Sequence, residues 1–126
     1  MGADLYIRKL TNEVEKPWDS EDGYFRDSYN GTSVLWTLGL SWWQDVTPLL
    51  NEEGELGGKN LKKFRDMVLN AKQEMPTESK LKEMYCKIDA EETLESWHKY
   101  YADKREKLLA FLNRAIDLNS SIDASL

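Results

Sequence analysis

Asp89-Ala90-Glu91-Glu92-Thr93-Leu94-Glu95-Ser96-Trp97-His98-Lys99-Tyr100-Tyr101-Ala102-Asp103-Lys104-Arg105-Glu106-Lys107-Leu108-Leu109-Ala110-Phe111-Leu112-Asn113-Arg114-Ala115-Ile116-Asp117-Leu118 is the stretch on which the fold turns. Asp89 with Glu92 offers an N-terminal cap. Leu94, Trp97, Tyr101, Leu108, Phe111, Ala115 and Leu118 recur at intervals of three and four, with Lys104 filling the intervening position. That period predicts one helix of about 27 residues, roughly 40 Å long, longer than a small domain of about 30 Å is wide. Leu109, Leu112 and Ile116 lay a second apolar stripe beside the first. Two stripes exceed what a two-stranded coiled coil needs and suit a helix wedged between other elements. One end is expected either to project or to pack on a second copy, and the second case gives a homodimer built on this helix.

Working outward, the tail Ser120-Ser121-Ile122-Asp123-Ala124-Ser125-Leu126 alternates polar and apolar residues. The opening run Asp4-Leu5-Tyr6-Ile7-Arg8-Lys9-Leu10 is short and β-prone. The two predict strands that can pair. Residues 11 to 23 carry Asn12, Pro17, Asp19, Ser20, Asp22 and Gly23 around a single large apolar side chain, Trp18, and are expected to be a loop pinned by that indole. A helix is expected from Thr32 or Ser33 through Val34-Leu35-Trp36-Thr37-Leu38, weakened at Gly39. Ser41 with Gln44 has capping-box spacing and predicts a second helix carrying Trp42, Trp43, Val46, Leu49 and Leu50, kinked at Pro48 unless it is short. Leu61, Phe64, Val68 and Leu69 predict an amphipathic helix ending near Ala71, ahead of Pro76. Residues 79 to 88, with Leu81, Met84, Tyr85 and Ile88, predict one more short helix. The sum is a single domain, 1–126, mainly α with α+β as the alternative: a compact bundle of about four helices, a long C-terminal helix and a short N-terminal strand.

Composition narrows the chemistry. The chain has 126 residues, a formal net charge of −6, five Trp, six Tyr and three Phe. Residues 1–58 hold four basic and eleven acidic side chains, a net of −7, and residues 59–126 hold thirteen basic and twelve acidic, a net of +1. Direct nucleic-acid binding is not expected from an acidic aromatic half without clustered Lys and Arg. No apolar run approaches the roughly 20 residues of a membrane span, and Val34 to Trp43 is interrupted by Thr37, Gly39 and Ser41. The start has neither a basic nor an apolar signal region, and Tyr6 stands where myristoylation would want Ser or Thr, so the cytoplasm is the expected compartment.

Catalytic groups are scarce. His98 is the sole histidine and Cys86 the sole thiol, and no third residue or oxyanion motif accompanies them as a dyad. Gly57-Gly58-Lys59 is too short for a phosphate loop. Asp19, Glu21 and Asp22 begin like a calcium loop, but Asn30 occupies the twelfth position, where Glu is required. Glu91, Glu92 and Glu95 favour the positive end of a helix dipole and need no further role. The expectation is no enzyme, no cofactor and no metal.

Tyr24-Phe25-Arg26-Asp27-Ser28-Tyr29-Asn30 through Trp43 mixes hydrogen-bonding side chains with rings. Phe25, Arg26, Asp27, Tyr29, Asn30, Trp36, Trp42 and Trp43 are the candidate binding residues. Several rings must fill the core of so small a domain. Neighbours on a helix point about 100° apart, so Trp42 and Trp43 are both buried only if the helix is covered on two sides, and one is expected to face a partner.

Met1-Gly2-Ala3-Asp4-Leu5-Tyr6-Ile7, Gly23-Tyr24-Phe25-Arg26-Asp27-Ser28-Tyr29-Asn30, Leu38-Gly39-Leu40-Ser41-Trp42-Trp43 and Leu109-Ala110-Phe111-Leu112 to Leu126 resemble a group of small proteins encoded by bacteriophages and bacterial genomes. The resemblance covers about half the chain and implies a phage or prophage setting, but no catalytic residue, since that group has no established activity. In such a setting the expectation is a non-catalytic host-interaction or anti-defence factor in the host cytoplasm, occupying a protein partner through its acidic aromatic half. The alternative is a protein that sequesters a signalling nucleotide, with Arg26 and helix N-termini near Ser33 and Ser41 on phosphate and Tyr29 or Trp36 on the base. A cryptic hydrolase is the remote third.

Overall fold

Alternation of buried and half-exposed residues builds the first element, β1 (Gly2–Ile7), in which Ala3, Leu5 and Ile7 are fully buried. The structure, a computed structural model, describes residues 2–11, 23–28, 33–85 and 94–126. A short helix α1 (Arg8–Thr11) follows, then β2 (Tyr24–Ser28), α2 (Val34–Thr37), a π turn (Trp42–Val46), a 3-10 turn (Thr47–Leu49), β3 (Glu55–Leu56), α3 (Gly58–Asn70), α4 (Glu78–Tyr85), α5 (Leu94–Asp117) and β4 (Ile122–Ser125).

The four strands form one antiparallel sheet in the order β2-β1-β4-β3. The expected mainly α bundle is therefore corrected: the protein is α+β, a four-stranded antiparallel sheet with a long C-terminal helix. Two strands account for the difference. β2 lies in the segment read only as an aromatic and polar cluster, because its inward positions are Phe25 and Asp27, and a carboxylate at an inward site breaks the apolar alternation that marks a strand. β3 has two residues, Glu55 and Leu56, too few for any periodicity, and is held by pairing with β4. The tail does pair with the first strand: Leu5 faces Ala124 and Ile7 faces Ile122.

The inner face of the sheet presents Ala3, Leu5, Ile7, Phe25, Leu56 and Ile122 to a core shared with Val34, Leu35 and Leu38, with Leu61, Phe64 and Val68 of α3, and with Leu108, Phe111, Leu112 and Ala115 of α5. Both apolar stripes of α5 are used there, since Leu109 and Ile116 also pack against the core. At 24 residues α5 is about 36 Å long, and its expected start at Asp89 lies outside the described residues. It ends on Asn119 at φ 51°, with Asn119 N–H donating to the Ile116 carbonyl and Ser120 N–H to that of Ala115, the paired bonds of a Schellman turn. That reversal aims the chain back into β4.

Other boundaries shift for local reasons. α2 is a single turn because Gly39 takes φ 71°. Ser41 caps as expected, accepting from Gln44 N–H at 3.3 Å, but Pro48 stops the helix early and leaves the π and 3-10 turns. Leu69, counted in the apolar stripe of α3, is 55% exposed. Ile88 and the loop around Trp18 lie outside the described residues. Among the described residues no helix is long and apolar enough to cross a membrane.

Candidate functional site

Asp27 organises the aromatic segment. It sits opposite Ala3 on the inner face of the sheet and is 5% exposed. A buried carboxylate needs donors, and this one has three. Ser28 N–H donates to its Oδ1 at 2.9 Å, Val34 N–H reaches both oxygens at 3.0 and 3.1 Å, and Trp42 Nε1–H donates to Oδ2 at 2.8 Å. Val34 opens α2, so its N–H is one of the orphan donors of a helix start. One side chain thus ties β2 to α2 and to the π turn. Burial pushes the Asp27 carboxyl above the ordinary aspartate range, against the opposing pull of those three donors and of the Lys104 charge.

Trp42 completes this junction as a core residue: it is 1% exposed and meets the Phe64 ring edge-on at 5.7 Å. Its neighbour Trp43 is 65% exposed. The turn between them is fixed from both ends, because Ser41 accepts from Gln44 N–H while Asp45 Oδ2 accepts from Ser41 N–H at 2.8 Å. Gln44 and Pro48 beside it are exposed as well.

The remaining candidates separate. Phe25 is buried, with its ring centroid 5.8 Å from that of Phe111. Trp36 is half-buried and lies edge-on to Tyr101 at 6.4 Å. Arg26 points to the outer face of the sheet, its side chain 62% exposed and its Nε 3.7 Å from Asp4 Oδ1. Tyr29 and Asn30 lie outside the described residues. The structure therefore brings Asp27 and Trp42 together, puts Phe25 and Trp36 into packing roles, and leaves Arg26 and Trp43 on the surface.

Three features involve groups outside the candidate binding residues. On the outer face the Tyr6 and Tyr24 rings meet at a tilt of 38° with centroids 5.1 Å apart, and the Tyr24 hydroxyl donates to Asp4. Burial first and that hydrogen bond second push the Tyr24 phenol up to about 12. Nothing in a pattern of alternating residues signals a cross-strand pair before the register is known. Lys104 is the second. Its Nζ lies 5.2 Å from the centroid of Phe25 and 5.9 Å from that of Tyr100. Desolvation lowers its pKa, Asp27 opposes this, and Lys107 and Arg26 reinforce it. A signal did exist, since Lys104 stands in the apolar stripe where the period calls for a hydrophobic residue. The third is a cleft of about 300 Å³ lined by Gly2, Arg26, Asp27, Ser28, Tyr100 and Lys104, where the edge of β2 meets α5.

His98 is placed structurally, its Nε2 2.9 Å from the Pro76 carbonyl oxygen, and Cys86 lies outside the described residues. Among the described residues no three His, Cys, Asp or Glu side chains are grouped to hold a metal ion. Comparison with protein-family models, with curated proteins and with solved structures gives no match.

Proposed function

We propose that this chain is a non-catalytic binding protein of phage type, a host-interaction or anti-defence factor that acts in the cytoplasm by occupying a basic surface of a protein partner. The observation that carries the reading is Trp43, 65% exposed on a turn whose adjacent residue, Trp42, is locked into the core. A Trp side chain left in water at a rigid position gives up little conformational freedom on binding, and Trp is the residue most enriched among interface hot spots.

Charge supports the choice of partner. From Asp27 to Gly58 the chain carries five acidic side chains and no Lys or Arg. Two of the five, Glu52 and Glu53, are exposed. Asp27 is buried and Glu55 pairs with Arg8, so Glu52 and Glu53, on the same stretch as the aromatic anchor, would supply the negative charge that steers encounter with a basic surface and repels acidic ones. The nucleic-acid groove of a host protein has that character.

The test is quantitative capture of host-cell proteins on the immobilised full chain, with Trp43→Ala and Glu52→Lys/Glu53→Lys run in parallel. The expected result is a defined basic protein retained by the native chain, lost with Trp43→Ala, and weakened both by charge reversal and by added salt. Retention of the same proteins by all three chains would overturn the reading.

A further inference from the structure

We propose that the cleft between β2 and α5 binds a small phosphate monoester carried on a planar base, a mononucleotide in size, with Arg26 and Lys104 on the phosphate and Tyr100 against the base. This site is separate from Trp43, and the proposal does not depend on the protein-partner reading.

Three observations converge on it. The first is Lys104, which occupies the core-facing stripe of α5 yet makes no hydrogen bond or salt bridge among the described residues. Its ammonium rests on the Phe25 and Tyr100 rings. A partly desolvated cation with no hydrogen-bond acceptor is costly. Asp27 does not fill that role, because Ser28, Val34 and Trp42 already supply N–H donors to its two oxygens.

The second is the convergence of like charges. Arg26 and Lys104 line the same cleft, and Lys107 is close enough to add to the repulsion felt by Lys104. Among the described residues Arg26 makes only a long ion-pair contact, 3.7 Å to Asp4, and 62% of its side chain faces solvent, so its guanidinium fork has donors to offer. Its position depends on Gly2: a Cβ there would come within 2.7 Å of Arg26 Nε.

The third is size and wall chemistry. A cleft of about 300 Å³ lies at the small end of ligand sites. Tyr100, 47% exposed, forms one side of it. Trp97 and Tyr101 meet the Tyr100 ring edge-on, at 81° and 71°. An aromatic wall beside paired cations suits a flat base joined to a phosphate.

Titration calorimetry of the full chain at low salt with adenosine 5′-monophosphate, adenosine and inorganic phosphate tests the proposal. The expected result is saturable binding of the nucleotide, weaker by about tenfold or more for adenosine and for phosphate, and weakened by a similar factor in Lys104→Met and in Arg26→Gln. Gly2→Ala, whose Cβ would meet the Arg26 guanidinium at 2.7 Å and the Asp27 carbonyl at 3.2 Å, should weaken it too, while Trp43→Ala leaves it intact. Arg26 is a surface residue, so Arg26→Gln keeps the test decisive if Lys104→Met folds poorly. Absence of nucleotide binding, adenosine or phosphate binding as tightly as the nucleotide, or affinity unchanged in Arg26→Gln would each overturn the proposal.

Discussion

Asp27 makes one inward strand position into a junction of three elements, and its titration carries a testable sign. Its pKa in the folded protein is raised from the ordinary 3.8, so the native state holds its proton where the unfolded chain has released it. The stability from this group is complete below 3.8 and is lost as pH rises through the raised value. Asp27→Asn has no such group. Urea unfolding of both proteins across the acid range should therefore show the native chain's advantage over Asp27→Asn shrinking as pH rises through that window. The two adjacent tryptophans give a second contrast at this scale. Trp42→Ala removes a buried ring and a hydrogen bond to a buried carboxylate and should cost about 3–5 kcal/mol. Trp43→Ala should change stability by no more than about 0.5 kcal/mol. Chemical denaturation of the pair measures both values.

At the scale of elements, α5 holds α3 as well as the sheet. Arg105 Nη2 donates to the carbonyls of Val68, Leu69 and Ala71, at 3.2, 3.2 and 3.1 Å, and so caps the last turn of α3 from a neighbouring helix. A cation at a helix C-terminus also meets the negative end of the helix dipole. Arg105→Met should destabilise the protein by about 1.5–3 kcal/mol, nearer the lower figure because the site is partly open to water. It should also speed amide exchange in the last turn of α3, read by hydrogen-exchange mass spectrometry. The legibility of the elements follows from how much each declares locally. α5 announced itself through seven periodic positions, and Ser33 and Ser41 through cap chemistry, since both depend only on residues three or four apart. β2 stayed hidden because Asp27, inward yet ionisable, makes sense only once Val34 and Trp42 are seen to supply its donors. Lys104 was visible as an interruption of the stripe, but Arg26 and Tyr100, which share its cleft, are 74 positions apart in sequence, a distance no local pattern spans.

For the whole molecule, the sheet is closed by its ends: β1 pairs with β4 across almost the entire chain, and β3 joins only through β4. Within residues 33–58 Val34, Leu35, Leu38, Trp42 and Val46 face the core, while Trp43, Glu52 and Glu53 are exposed. On the proposed function, such a surface would select its partner by shape and charge. The decisive measurement is photo-crosslinking in cells of the proposed host, with a photoreactive side chain placed at position 44, beside Trp43, or at position 69, where the exposed Leu69 serves as a control. One discrete adduct to a basic protein is expected from position 44, abolished by Trp43→Ala, and none from position 69. Equal adducts from both positions, or an adduct at 44 that survives Trp43→Ala, would contradict it.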